Sequence, residues 1–106
     1  MIKIDYEILN KALELWGAQS QMGMLQEECM ELSVAIHKYQ TREKSSSNME
    51  KIYDEFADVL IMCEQAKKLL DMNEVQLKID FKINRLNDRI NNYINLKEIP
   101  QDDWIL

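Results

Sequence analysis

Apolar residues recur at intervals of three and four along most of the chain, which is the periodicity of amphipathic α-helices. The pattern predicts helices over about residues 5–16, 20–41, 48–70 and 73–94. Gly17 is expected to stop or kink the chain between the first two, and Pro100 prevents continuation of the last. Glycine and proline are otherwise scarce. We therefore predict an all-α fold, a compact bundle of about four helices.

The third predicted helix is apolar almost all round its circumference over residues 56–63. A helix of this kind is covered on more than one side, and a chain of 106 residues has little material to cover it alone. We expect one domain over residues 1–106, with its core completed by homo-oligomerisation as a dimer or tetramer and this helix near the interface. Residues 97–106 form a C-terminal tail, which is expected to pack on the body or on a partner subunit. The tail ends on Trp104, Ile105 and Leu106.

The net charge of −6 and the pI near 4.8 argue against a nucleic-acid interface and against binding to anionic membranes. No apolar run approaches the roughly 20 residues that span a bilayer, and the mixed N-terminus is not a signal peptide. Cys29 and Cys63 form no CxxC pair, and both are expected to be packed thiols. These features indicate a cytoplasmic protein.

Two of the predicted helices carry carboxylates where a core-facing helix should be apolar. On a helical wheel Glu28 lies inside the apolar arc and Glu31 lies about 60° away, at its edge. Glu55 and Asp58 repeat this arrangement. An i, i+3 pair stacks on one helix face, so two such helices packed antiparallel would bring four carboxylates into one pocket. Converging carboxylates cannot all stay ionised without a cation, and oxygen ligands favour Mg²⁺ or Mn²⁺.

The acidic pairs allow two other interpretations. The carboxylates would be ordinary surface groups if they were solvated or paired with Lys and Arg across the bundle. A di-iron centre would need a Glu-x-x-His motif on each of two helices. The chain has a single histidine, His37, and Val34 stands where such a motif would need one, so the iron interpretation fails.

The last predicted helix carries four cations on one narrow stripe about 60° wide, namely Lys78, Lys82, Arg85 and Arg89. Such a stripe can form salt bridges along a bundle edge. It can also hold phosphate groups that face a metal site, where cations stabilise spreading negative charge. Carboxylates, a metal ion and cations together indicate phosphoryl chemistry. Trp16 is expected in the core, with a stacking surface for a flat ligand as the alternative.

The two acidic blocks resemble the signature of the MazG-like family of all-α nucleoside triphosphate pyrophosphohydrolases, Glu-Glu-x-x-Glu followed after a spacer by Glu-x-x-Asp. Here the blocks are Glu27-Glu28-Cys29-Met30-Glu31 and, after 23 intervening residues, Glu55-Phe56-Ala57-Asp58. The resemblance covers about residues 15–95. It implies Mg²⁺-dependent hydrolysis of a nucleoside or deoxynucleoside triphosphate to the monophosphate and pyrophosphate, by attack of activated water on the α-phosphorus.

The resemblance also implies roles for individual residues. The metal ligands would be Glu28, Glu31, Glu55 and Asp58, and Glu27 would be an outer ligand or a base that orients water. Phosphates would be held by Lys38, Lys78, Lys82, Arg85 and Arg89, and the base would be recognised near Trp16 and Gln19. The motif leaves open a relative specific for dUTP, dCTP or phosphoribosyl-ATP. A non-catalytic helical dimerisation module is the alternative from another class.

Overall fold

The structure is a computed structural model that describes residues 1–96, and those residues form helices without strands. The elements are α1 (Tyr6–Thr41), α2 (Ser46–Ala66) and α3 (Met72–Leu96). The predicted all-α class is therefore confirmed. Three helices stand where about four were predicted, because the first two predicted helices are joined into α1. The predicted packing of the tail that ends on residues 104–106 lies outside the described residues.

A break in α1 lies at Gly17, where the backbone has φ 83° and ψ 166°. Side chains exclude this conformation, and only glycine adopts it readily. The residues on either side are helical, so the predicted kink at Gly17 is confirmed and divides α1 into segments 6–16 and 18–41.

Each helix begins at a side chain that accepts hydrogen bonds from free backbone N–H groups. The Asp5 carboxylate accepts from the amide of Glu7 at 3.0 Å, and the Ser45 hydroxyl accepts from that of Asn48 at 3.1 Å. Asp71 accepts from the amide of Asn73 at 3.0 Å, so this aspartate caps α3. The caps fix where the connections between the helices lie.

Helices α1 and α2 pack against each other in the unit formed by Met1–Leu70. The side chain of Gln65 is buried on α2 and its Nε2 donates to Leu9 O at 2.7 Å and to Gln21 Oε1 at 3.0 Å. Leu9 precedes the break at Gly17 and Gln21 follows it, so one side chain of α2 holds both segments of α1. The buried apolar residues of this unit are Leu9 and Ala35 on α1 and Ile52, Met62 and Ala66 on α2.

Three sequence predictions about burial are wrong. Trp16 was expected in the core, yet 62% of its surface is exposed. Cys29 and Cys63 were expected to be packed, and both are exposed free thiols. The reason is that α1 and α2 cover each other on one side only, whereas the helical periodicity gives no information about which of two apolar faces receives a partner.

The second unit, Asp71–Leu106, contains α3, and no residue of this helix is buried. Large apolar side chains of this helix are about half exposed, for example 44% at Ile79 and 58% at Ile83. Within residues 1–96, no helix combines the length and the apolar character needed to cross a bilayer.

Gly17→Ala should lower the free energy of unfolding by about 1–3 kcal/mol, because alanine is strained in a backbone conformation that glycine adopts without strain. A Cβ at Gly17 meets no atom within 4 Å, so the loss is conformational and not steric. Gly23 is the matched control, since its Cβ would also meet open space and its backbone is helical. Gly23→Ala should raise stability by about 0.4–1 kcal/mol in urea denaturation. Equal effects of the two substitutions would contradict the assignment of the break.

Candidate metal centre

The two acidic pairs predicted from the sequence face each other across the contact between α1 and α2. Glu28 and Glu31 lie on α1 and Glu55 lies on α2, and these three carboxylates each offer an oxygen within 4.8 Å of the others. Gln21 precedes Glu28 on α1, and its hydrogen-bond partner Gln65 follows Glu55 on α2. The two helices therefore run antiparallel. The structure therefore brings together three of the four carboxylates that were predicted to converge, and Asp58 is not part of this group.

Two carboxylate oxygens in this cluster are buried without a hydrogen-bond partner, Oε2 of Glu28 and Oε2 of Glu55. Only 4% of the surface of Glu55 is exposed, and Glu28 is half-buried. An unpaired buried oxygen of a carboxylate is costly. A divalent cation coordinated by these oxygens removes that cost, so the residues present fit an oxygen-ligated metal ion.

The electrostatics of the cluster are centred on Glu28. Burial, together with the negative charges of its carboxylate neighbours, raises the pKa of Glu28 from 4.5 to about 7. Among those neighbours Glu31 has the largest effect, followed by Asp58. Asp58 is thus adjacent to the cluster, at the exposed edge that the helical wheel predicts. When no cation is bound, Glu28 therefore keeps its proton to a higher pH than a solvated glutamate does.

Lys51 is a member of the site that the sequence interpretation missed. Its Nζ lies 2.9 Å from Glu55 Oε1, and this hydrogen bond lowers the pKa of Glu55. Lys51 precedes Glu55 by four residues, so both lie on one face of α2. That i, i+4 spacing was the available signal.

A pocket of about 400 Å³ adjoins the carboxylates and shares Glu31 and Glu55 with them. Its cationic side chains are Lys38, which the sequence assigned to phosphate binding, and Lys51. The rest of its lining is apolar and comes from Met30, Val34 and Ala35. The pocket therefore offers carboxylates, two lysines and an apolar wall within one cavity.

The other predicted site residues lie elsewhere. Glu27 is exposed and is not part of the three-carboxylate group found among residues 1–96. Trp16 and Gln19 are exposed beside the break in α1, and the pocket lining does not include them. The predicted phosphate-binding stripe is exposed on α3, which belongs to the second unit, and consists of Lys78, Lys82, Arg85 and Arg89.

Comparison of the chain with protein-family models, curated proteins and solved structures found no match. The similarity to the MazG-like family accordingly rests on the two acidic blocks of the sequence and on no further relative.

The pKa of Glu28 predicts that the metal-free protein becomes less stable as the pH rises through neutrality. Between pH 4.5 and about 7 the folded chain holds a proton on Glu28 that the unfolded chain has lost. The contribution of Glu28 to the free energy of unfolding therefore falls across this interval and is constant above it. In EDTA, the Tm at pH 8 should lie below that at pH 5.5, as measured by circular dichroism.

Glu28→Gln should reduce this dependence of Tm on pH, because glutamine does not titrate. Glu50→Gln is the matched control, since Glu50 is exposed on α2 outside the cluster and its replacement should preserve the dependence. A Glu28→Gln variant with the slope of the wild-type protein would contradict the assignment to this carboxyl group.

Proposed function

We propose that this chain is a Mg²⁺-dependent pyrophosphohydrolase that converts a nucleoside or deoxynucleoside triphosphate to the monophosphate and pyrophosphate. The observation that carries the proposal is the pair of unpartnered buried oxygens, on Glu28 and Glu55, beside a pocket with two lysines. Unpaired carboxylate oxygens call for a cation, and cationic side chains next to them suit a polyphosphate. The MazG-like motif that supplies the same carboxylates supports the same reaction.

Glu28, Glu31 and Glu55 would hold the ion, with Asp58 at the edge of the site, and Mn²⁺ would be accepted in place of Mg²⁺. When bound, the ion lowers the pKa of coordinated water and neutralises phosphate charge. Glu27 lies outside the carboxylate cluster, one residue before Glu28, and would orient water from the exposed side.

Lys38 and Lys51 line the same pocket as the carboxylates and would bind the phosphate oxygens there. Lys51 is paired with Glu55 in the structure, and coordination of Glu55 to a cation would weaken that ion pair. The Lys51 ammonium group would then be available to the substrate, and 62% of its side chain is already exposed. Met30 and Val34 would contact the less polar part of the nucleotide.

The proposed enzyme is a homo-oligomer in which α2 lies near the interface. Support comes from the apolar face of α2 that points away from α1, where Tyr53 is 60% exposed and Phe56 is 50% exposed. Large exposed apolar patches mark surfaces that bind partners. The proposed compartment is the cytoplasm.

Glu28→Gln and Glu55→Gln should each lower pyrophosphate release about 100-fold or more. Substitution of a residue that only holds a metal ligand in place lowers metal affinity or activity about 10–100-fold. Glu28 and Glu55 would be ligands themselves. The assay is pyrophosphate release from a panel of ribo- and deoxyribonucleoside triphosphates with Mg²⁺, and Glu50→Gln is the control that should retain full activity. Release from no member of the panel by the wild-type protein would exclude the proposed reaction.

Mg²⁺ should raise the Tm of the wild-type protein, because an ion that binds only the folded state stabilises it. The two glutamine variants should lose this increase. A helical dimerisation module without a metal site would show no Mg²⁺ effect, which distinguishes the alternative function.

Lys51→Ala should lower kcat/KM about tenfold or more while the Mg²⁺-dependent rise in Tm remains. The expected loss comes from a missing charge-assisted contact with phosphate, and not from a missing metal ligand. Lys11→Ala, which removes an exposed lysine of α1 outside the pocket, should leave kcat/KM unchanged. Loss of Mg²⁺ binding in Lys51→Ala would contradict the proposed role of this residue.

A further inference from the structure

The apolar residues of α3 form a seam that repeats every seven residues. In coiled-coil nomenclature, the d positions are Met72, Ile79, Leu86 and Tyr93. The a positions are Gln76, Ile83 and Ile90. A repeat of 3.5 residues keeps one face of a helix against a single partner helix along its whole length.

No residue of α3 is buried, although the helix has 25 residues and a length of about 37 Å. The seam is exposed at every level, with Ile83 at 58%, Leu86 at 50% and Ile90 at 48%. Most of the stability of a protein helix comes from packing of its apolar face. The seam of α3 therefore needs a partner.

We propose that α3 pairs with α3 of a second copy of this chain, parallel and in register, as a two-stranded coiled coil. In this arrangement each apolar layer meets its own copy. Over residues 83–90, isoleucine at both a positions with Leu86 at the d position between them is the combination that favours two strands, and Ile79 at the preceding d position departs from it. Gln76 is a polar a residue near one end, and one polar layer of this kind fixes the register.

The charges beside the seam favour the parallel orientation. Lys82 and Arg89 occupy g positions, while the e positions hold Asp80, Asn87 and Ile94. In a parallel pair g faces e of the partner, so Lys82 meets Asn87 and no like charges are opposed. In an antiparallel pair g faces g of the partner. The alignments that overlap the two helices most fully then place Lys82 or Arg89 opposite a cation of the partner helix. Like charges in such pairs are destabilising.

This pairing is independent of the proposed enzymatic reaction, since it uses none of the carboxylates of α1 and α2. It leaves Lys78 and Arg85 on the outer surface of the coiled coil, at c positions, where they remain accessible. It also differs from the proposed interface at α2, so the two surfaces can be tested separately.

The first test is the oligomeric state of the full chain by sedimentation equilibrium at micromolar concentration. The wild-type protein should be a dimer or a larger even assembly. Ile83→Asp and Leu86→Asp place charge in the seam and should raise the dissociation constant of the pair at least about tenfold. The controls are Leu77→Asp and Phe81→Asp, at exposed apolar positions of the same helix outside the seam, and they should leave it unchanged.

Milder variants protect this test against a loss of folding. Ile83→Ala and Leu86→Ala keep helix propensity, should preserve most of the helical far-UV circular dichroism signal of the chain, and should still weaken association. A monomeric wild-type protein would overturn the proposal. So would an assembly that seam variants leave intact and that Phe56→Asp on α2 dissociates.

The second test concerns orientation. Met72→Cys, in a full-length chain with Cys29→Ser and Cys63→Ser, should form a disulfide-linked dimer under mild oxidation, because a parallel pair brings the two copies of position 72 within reach of a disulfide. Leu77→Cys in the same background lies outside the seam and should form far less. An antiparallel pair would place the two copies of position 72 at opposite ends, and absence of the cross-link would overturn the parallel arrangement.

Discussion

Repulsion among the carboxylates of Glu28, Glu31 and Glu55 is the constraint around which the contact between α1 and α2 is organised. Burial of Glu55 and the raised pKa of Glu28 are costs that a purely structural core would avoid. The ammonium group of Lys51, 2.9 Å from Glu55, offsets part of the negative charge, and the raised pKa of Glu28 favours protonation of its carboxyl group. A divalent cation would replace both, which is why the same arrangement suits a metal-dependent reaction.

The rest of the first unit holds these carboxylates in register. Gln65 donates hydrogen bonds to Leu9 and Gln21, on either side of the break in α1, and its side chain is 1% exposed. Because buried polar groups are strongly directional, this contact fixes the alignment of α2 along α1 better than apolar packing alone. The glycine break lets α1 follow α2 on both sides of Gly17, so a backbone conformation at one position contributes to the geometry of a distant site.

The sequence predicted some features of the helices and of the candidate site correctly and missed others. Gly17 as a break and the all-α class follow from local stereochemistry and periodicity, and the structure agrees with them. The convergence of Glu28 with Glu55 followed from two matching anomalies on helical wheels. Lys51 was missed because a lysine and a glutamate at i, i+4 spacing are also typical of an ordinary surface pair. Trp16, Cys29 and Cys63 were placed wrongly because periodicity identifies apolar faces without showing which are covered.

The sequence by itself determined where the helices lie, where α1 breaks and which carboxylates intrude on apolar faces, because these properties depend on residues within a few positions of one another. Only the tertiary structure decided that two carboxylate oxygens are buried without partners, that Lys51 reaches Glu55 and that Lys38 lines the same pocket. Desolvation and pairing depend on what the second helix places opposite each side chain. For the acidic residues of α1 and α2, burial and the lack of hydrogen-bond partners distinguish a candidate metal centre from an ordinary charged surface.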